Sequence, residues 1–537
     1  MRNVLISNGS AAGGTTADNT LAKFLKTGFF SRRFWLILLV SIGVAWRLGR
    51  YFLNFPIFGD EAVVGLNILD RSYLGLLEPL RYIQACPFGF LWISKWIIIH
   101  FGTSSFAVRF LPLVASLVSL LLIYPIARQF GGPWIALLAT GLLACSLSPA
   151  RFSNDFKPYS IDLLVALSYT GLGLWALRSW RDGRPVLLLA VLTPIALALS
   201  YPSVFVAGAV SLALGLRYWR FRSASTRNRT LGWYLLFNLL LVGGFVALYF
   251  TVSGGQLHTT RHDGILRAWG QAFPPLNWHI AWWLVKAQFG NMMSYPMGGE
   301  WGISLVISPL CWLGAWRLWR RGQRAEVVLL VAPFLATLIA SCLRAYPYGR
   351  DARVEQHLVP AIMLLSSLGL FNAVVFLLRG MKTRGRGIRA VVAGVGALWA
   401  IFAVVAAIIN VFNPWISRGW QRSQRIAQNV CAGNRQNTQI VILGQMPSNV
   451  EWYLRRKNVS WLPALPLHDS ALQKSRCNLW VLCFSPRPKA HFLTTIRNQL
   501  AARKVSMELV KLERIRLDLG SAPSYAKMFH FTHPDNN

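Results

Sequence analysis

Two short stretches of this 537-residue sequence hold ionisable residues of the types that group transfer needs. The first runs from Phe55 to Ala62 and contains Gly59-Asp60-Glu61, an acidic pair behind a flexible glycine. A carboxylate there can take a proton from a hydroxyl, hold an incoming hydroxyl, or help hold a divalent cation. The same pair suits a solvated loop or a helix N-terminus, where the dipole favours negative charge. The second stretch, Arg151 to Asp162, contains Asp155-Phe156-Lys157-Pro158-Tyr159. Pro158 fits the first turn of a following helix, which puts Asp155, Lys157 and Tyr159 at that helix's mouth. A lysine beside a helix N-terminus makes a positive field suited to phosphate. The plainer reading is an ion pair of Lys157 with Asp155 or Asp162 that fixes the helix start. Asp162, a turn inside the apolar run, is costly to bury and is expected to face other protein groups rather than lipid.

The elements that must position these groups are set by hydropathy. With 54% hydrophobic residues, 23 Trp, 31 Phe and a mean hydropathy of +0.42, the composition points to lipid as solvent. Apolar runs near the roughly 20 residues needed to cross a hydrocarbon core recur. They are Phe34–Leu53, Phe106–Ala127, Trp134–Pro149, Tyr159–Leu177, Val186–Ser200, Ser203–Tyr218, Leu231–Val252, Trp301–Trp319, Val327–Leu343, Leu358–Leu378 and Ala390–Phe412. The runs lack the period-two alternation of a barrel, so the spans are helices. This gives an α-helical polytopic membrane protein of about eleven transmembrane helices, within a range of about 11–13. Pro87 to Phe101 carries Lys95 and ends in His100, and reads as a helix lying at the interface or as a further span.

Residues 1–33 are expected to be a disordered cytoplasmic tail, and Phe34–Leu53 a retained anchor rather than a cleaved leader. Laid onto this count, Arg32 with Arg33, Arg178 to Arg184, Arg217 to Arg229, Arg317 to Arg324 and Arg379 to Arg389 all fall on one side. By the positive-inside rule that side is cytoplasmic, so the protein is expected in the inner or plasma membrane with its N-terminus inside. The opposite, external side then receives loops 54–105, 150–158, 253–300 and 344–357, with Asp60, Glu61, Asp155, Asp263, Glu300, Asp351 and Glu355 among them.

From residue 413 onward the chain is polar and basic, with short apolar runs at Gln439–Leu443 and Leu479–Phe484 that read as buried strands. Helix-like stretches at Val450–Arg456 and Phe492–Lys504 alternate with them, which predicts a C-terminal α/β extramembrane domain on the external side. A net charge of +36 would suggest nucleic acid in a soluble protein, but here the basic residues sit largely in short loops beside headgroups. Nucleic acid is therefore not an expected partner, whereas membrane lipids are. The seven cysteines show no CxxC spacing, and Cys431, Cys477 and Cys483 leave a disulfide in the exported domain as an alternative to free thiols.

Taken in order, the Gly59-Asp60-Glu61 loop after one helix, the Asp155-Phe156-Lys157-Pro158-Tyr159 loop several spans later, and Ala345-Tyr346-Pro347-Tyr348-Gly349-Arg350 with Arg353 form a pattern. It resembles the GT-C membrane glycosyltransferases: protein O-mannosyltransferases, aminoarabinose transferases and lipopolysaccharide-core galacturonosyltransferases. The resemblance covers about Phe34 to Phe412. It implies transfer of a sugar from a polyprenyl-phosphate carrier to a lipid, glycan or protein acceptor at the external face. By the same resemblance Asp60 engages the acceptor or acts as base, and Glu61 is its neighbour and substitute. Asp155 stands where relatives frequently carry Glu. Lys157 and Tyr159 match the part associated with the donor phosphate, and Tyr348, Arg350 and Arg353 match a late loop over that donor.

The chemistry of the residues agrees. Displacing a lipid phosphate from an anomeric carbon needs a base for the incoming hydroxyl and cations for the leaving phosphate, on opposite sides of the sugar. Asp60 supplies the first; Lys157, Arg350 and Arg353 supply the second, and a single displacement inverts the anomeric carbon. A divalent metal ion, with Asp60 and Asp155 as candidate ligands, is the one cofactor considered. His258, His262 and Asp263 have a spacing that suits a metal but read better as a solvated loop, and Trp269, Trp278, Trp282 and Trp283 as an interfacial belt rather than a sugar platform. Two alternatives remain: a flippase or transporter, which predicts polar groups near mid-membrane, and a surface-polysaccharide ligase or polymerase, which shares the donor.

Overall fold

The computed structural model describes residues 31–82, 84–179, 182–220, 227–257, 269–298 and 302–380, and beyond them chiefly residues 418–433, 438–443, 446–457, 478–485, 508–518 and 523–532. The expected spans from Phe34–Leu53 to Leu358–Leu378 fall on helices, Trp134–Pro149 on two of them. In chain order the helices of the first 380 residues are α1 (Arg32–Phe52), α2 (Gly59–Asp70), α3 (Phe88–Phe101), α4 (Ser105–Gly131), α5 (Pro133–Cys145), α6 (Leu147–Phe152) and α7 (Tyr159–Arg178). They continue as α8 (Arg184–Leu199), α9 (Ser203–Arg220), α10 (Arg227–Leu248), α11 (Ile280–Phe289), α12 (Ser304–Arg320), α13 (Arg324–Cys342) and α14 (Val359–Gly380). Among the described residues, six helical segments are long and apolar enough to cross a membrane: Arg32–Phe52, Ser105–Gly131, Tyr159–Arg178, Thr230–Leu257, Arg324–Cys342 and Gln356–Leu377. Shorter apolar helices accompany them, α3, α5, α8 and α9 among them. The expected span Ala390–Phe412 lies almost wholly outside the described residues, as does most of the expected tail 1–33.

Local chemistry sets the boundaries. Ser31 accepts the Phe34 N–H at 3.3 Å to cap α1, and Ser104 accepts that of Ala107 at 3.0 Å to cap α4. Pro133 and Pro185 occupy first-turn positions of α5 and α8, where no backbone donor is needed. The run Trp134–Pro149, expected as one span, breaks at Ser146, whose backbone is extended. Pro149 then sits in the first turn of the separate helix α6, a place that tolerates a residue without an N–H. This break points the chain toward the Asp155 loop.

Arg47, a charge in the middle of α1, is fully buried. It donates to Ser116 Oγ at 2.8 Å, Gly43 O at 3.0 Å, Leu143 O at 3.2 Å and Ala144 O at 3.4 Å, so one guanidinium ties α1, α4 and α5 together. Large apolar side chains such as Leu235, Leu239, Val242 and Phe250 on and just after α10 remain exposed, as expected of a surface facing lipid.

After α14 come α15 (Arg418–Gly433), β1 (Thr438–Leu443), α16 (Ser448–Arg456), β2 (Asn478–Ser485), β3 (Glu508–Asp518) and β4 (Pro523–Thr532). The strands form one sheet in the order β1-β2-β4-β3, with β1 parallel to β2 and the other pairs antiparallel. Cys431 and Cys483 are not bridged to each other, and Cys477 lies outside the described residues. Helix α16 packs directly on α2. Gly65 makes room for the Trp452 ring, since a Cβ there would come within 2.4 Å of it. Tyr453 Oη accepts the Ile57 N–H at 2.8 Å, and Arg455 bridges Asp70 and Glu451. The helix bearing Asp60 thus lies between the bundle and the C-terminal domain.

Candidate active site

Asp60 and Glu61 both lie in the first turn of α2, where negative charge meets the positive end of the dipole. Their side chains part company at once. The Asp60 carboxylate is 46% exposed and meets the Arg353 guanidinium at 3.3 Å. Glu61 is fully buried: one oxygen accepts from Arg109 Nε at 2.8 Å and from the Phe156 N–H at 2.6 Å. Its other oxygen accepts from Arg109 Nη2 at 2.6 Å and from the Phe58 N–H at 3.1 Å. The Glu61 carboxylate, expected as a neighbour and substitute of Asp60, is thus committed on both oxygens to protein donors. What it does is tie α2 to α4 and to the Asp155 loop.

That loop turns tightly, with the Lys157 N–H donating to Asp155 O at 2.7 Å. Asp155 is buried, and its Oδ2 has no hydrogen-bond partner among the described residues. Burial raises its carboxyl above the ordinary carboxylate range; Arg151 opposes this and the charge of Glu61 adds to it. The expected Asp155–Lys157 and Asp162–Lys157 ion pairs are not among the described contacts. Lys157, only 5% exposed, instead donates to Gln84 Oε1 at 2.6 Å. Burial lowers its pKa, while the charge of Asp60 is the largest influence acting the other way. Tyr159 opens α7 and stacks edge-on against Phe152, with ring centroids 5.3 Å apart.

The late loop closes the mouth from the other side. Arg353 pairs with Asp351 at 2.6 Å and lies over the Trp269 ring at 5.3 Å from its centroid, besides reaching Asp60. Burial works most strongly against its charge, but the charge and hydrogen bond of Asp351 together with Tyr159 and Asp60 outweigh it and hold the guanidinium protonated. Glu355, fully buried in the same loop, accepts the Gly349 N–H, and burial pushes its carboxyl up to about 8. Arg350 is exposed, and its carbonyl accepts from Asn291 Nδ2 at 3.1 Å. Tyr348 is buried, with its hydroxyl accepting from Gln288 Nε2 at 2.8 Å. Its hydroxyl thus ties the late loop to α11.

Asp60, Lys157, Tyr159 and Arg353 are thus brought together at one end of the bundle, Arg350 stands at the rim, and Glu61, Asp155 and Tyr348 lie beneath. Arg109, Gln84 and Asp351 belong to the same assembly and were not singled out by motif. Arg109 had a sequence signal: an arginine within the apolar run Phe106–Ala127 is costly unless paired. Among the described residues no three His, Cys, Asp or Glu side chains gather as metal ligands. The donor chemistry is also unsuited to one, since Asp60 faces Arg353 and Asp155 is in the field of Arg50, Arg109 and Arg151. His258, His262, Asp263 and Glu300 lie outside the described residues.

This bundle, with its first-loop helix and docked C-terminal domain, defines a multi-pass membrane protein with the GT-C fold of membrane glycosyltransferases. Residues 85–246 match the family model described as dolichyl-phosphate-mannose-protein mannosyltransferase, a stretch that includes Asp155, Lys157 and Tyr159 but neither Asp60 nor Arg353. Among solved structures the chain is similar to ArnT from Cupriavidus metallidurans in the apo state, at 12% identity over 92% of this chain and 97% of that one, with a TM-score of 0.53. It is likewise similar to the same protein bound to undecaprenyl phosphate, at 12% identity over 92% and 98% of the chains, with a TM-score of 0.51. A search of the curated proteins gave no match.

Proposed function

We propose that the protein transfers a sugar from a polyprenyl-phosphate carrier to an acceptor hydroxyl at the external face of the membrane, with inversion at the anomeric carbon. The observation that carries this reading is the meeting of a half-exposed carboxylate, Asp60, with the cations Arg353 and Lys157 in one mouth. The basic loops on the opposite end of the bundle support the external orientation. The undecaprenyl phosphate bound to the structurally similar ArnT supports the class of donor.

In the transfer, Asp60 takes the proton of the acceptor hydroxyl as its oxygen forms the new bond to the anomeric carbon. The bond from that carbon to the phosphate oxygen breaks on the opposite side, and the carrier phosphate leaves with the electron pair. Arg353, Lys157 and the rim residue Arg350 stabilise the charge that develops there. Arg353 exchanges part of its pairing with Asp60 and Asp351 for the phosphate, which frees the Asp60 carboxylate for the acceptor. Asp155, Glu61 and Tyr348 position the reacting groups without touching substrate. Because the leaving phosphate is served by side-chain cations, the reaction is expected to persist after chelation of divalent ions.

A transporter gains little support from the polar groups in the bundle, since Arg47 is tied to three backbone carbonyls and a serine hydroxyl. A ligase or polymerase of surface polysaccharide remains within the same donor chemistry, as a choice of acceptor. The test is an assay of purified protein with radiolabelled polyprenyl-phosphate sugars and crude membrane acceptors. Asp60→Asn is expected to lower turnover by about 10²–10⁴-fold, and Lys157→Ala to lower it too. Turnover untouched by both changes, or a product with retained configuration, sinks the mechanism; solute uptake into vesicles without sugar transfer favours the transporter.

A further inference from the structure

A cleft of about 220 Å³ lies between the membrane bundle and the C-terminal domain. Its floor is the outer end of two membrane helices, with Asn54 just after α1 and Ser105 opening α4. Its roof comes from α15 and the end of α16, where Gln424, Gln428, Arg456 and Lys457 line it. This is many times the space one water needs.

Three observations indicate what the cleft takes. The neighbouring cations of α16 differ: Arg455 is paired with Asp70 and Glu451, whereas Arg456 and Lys457 meet no carboxylate among the described residues. Both belong electrically to the cleft, since Arg456 acts on Tyr453 and Lys457 on Cys431, two other lining residues. Tyr453 receives the Ile57 N–H on its hydroxyl oxygen, which leaves its own proton free to be donated. The cleft therefore offers two cations, a hydroxyl proton and side-chain amides, an inventory of donors that suits a phosphate.

The surroundings identify the source of that phosphate. Phe52, Leu53, Phe101 and Phe106, all exposed, surround the same outer helix ends, so an apolar rim adjoins the polar cleft. A group with a phosphate head and acyl chains satisfies both, which a free phosphate does not. Basic pockets between membrane elements bind anionic headgroups by the same physics.

We propose that this cleft is a binding site for the phosphate headgroup of an anionic membrane lipid, held between the bundle and the C-terminal domain. The lipid is not a reactant in the transfer described above, and its binding is read without any sugar. Its contact with Tyr453 lies one hydrogen bond from Ile57, three residues before Asp60, so it also steadies the approach to α2.

The test is native mass spectrometry of the full-length protein in detergent, titrated with phosphatidylglycerol or phosphatidylcholine. A preference for phosphatidylglycerol is expected, and the double variant Arg456→Ala/Lys457→Ala should weaken it about tenfold or more. Gln428→Trp, which fills the cleft while leaving its charges, should weaken it as well. The double variant Arg184→Ala/Arg324→Ala, which removes the same charge from the other end of the bundle, should not. Equal affinity for the two lipids, equal loss in that control, or full retention in both cleft variants overturns the site. Displacement of phosphatidylglycerol by an equal concentration of inorganic phosphate assigns the cleft to the free anion and overturns the lipid.

Discussion

Asp60 and Glu61 are consecutive residues with the same chemistry, yet the regions around them behave as opposites. Around Asp60 the charges are half-exposed, and Arg353 divides itself between two carboxylates and an aromatic ring. Around Glu61 the charges are dry, short and saturated, with a bidentate arginine and two backbone donors on a single carboxylate. Exposed pairs contribute about 0–1 kcal/mol to stability and rearrange easily. A buried pair punishes the loss of either partner by roughly 3–5 kcal/mol. One turn of helix thus holds a replaceable contact, which suits a substrate, next to a permanent one, which suits a scaffold.

The comparison can be broken most directly at its dry half. Glu61→Gln leaves Arg109 buried without a counter-charge and should lower stability by about 3 kcal/mol or more, read as a fall in the thermal midpoint in detergent. An unmoved midpoint would mean that the pair is not an anchor.

At the wet half, Arg353→Ala should cost transfer roughly 10²–10³-fold, the usual effect of removing one preorganised donor. The midpoint should move less than in Glu61→Gln, because the pairs lost are partly exposed rather than fully buried. A joint collapse of midpoint and rate would erase the distinction between the two regions.

A pH dependence sharpens the boundary between them. Glu355 has a folded pKa of about 8, above its unfolded value, so the folded state holds its proton longer. Its contribution to stability is full at pH below the unfolded pKa and is lost as pH rises through about 8. Thermal midpoints measured from pH 5 to 9 should decline in the wild type more steeply than in Glu355→Gln. Parallel curves would place the Glu355 carboxylate in water.

Much of the bundle was legible because hydrocarbon imposes length and apolarity, and runs such as Tyr159–Leu177 and Val327–Leu343 have no other use. Motif order also picked out Asp60, Lys157 and Arg353, which the fold gathers at one mouth. The division of labour between Asp60 and Glu61 was not legible, since it depends on which way each side chain leaves the same turn of α2. Nor was the pairing of Lys157 with Gln84, because an amide near a loop carries no pattern. Trp134–Pro149 read as one span since hydropathy does not register the break at Ser146. In the C-terminal domain, β1 and β2 are continuous apolar runs and were visible. β3 and β4 mix charged and apolar residues, as in Lys511-Leu512-Glu513-Arg514, and were not.

The contact of α16 with α2 joins residues that are synthesised far apart: Tyr453 reaches Ile57 across 396 positions. During translation the first-loop helix emerges early and its cover arrives near the end, so the Gly65 surface stays bare while most of the chain is made. Contacts of such separation form late and leave their partners exposed in the meantime. A nascent chain cut short before Trp452 would still carry every residue of the mouth, but on a helix that nothing holds from outside. Transfer is then expected only from chains that extend through α16, whose Trp452 and Tyr453 hold the helix that carries Asp60.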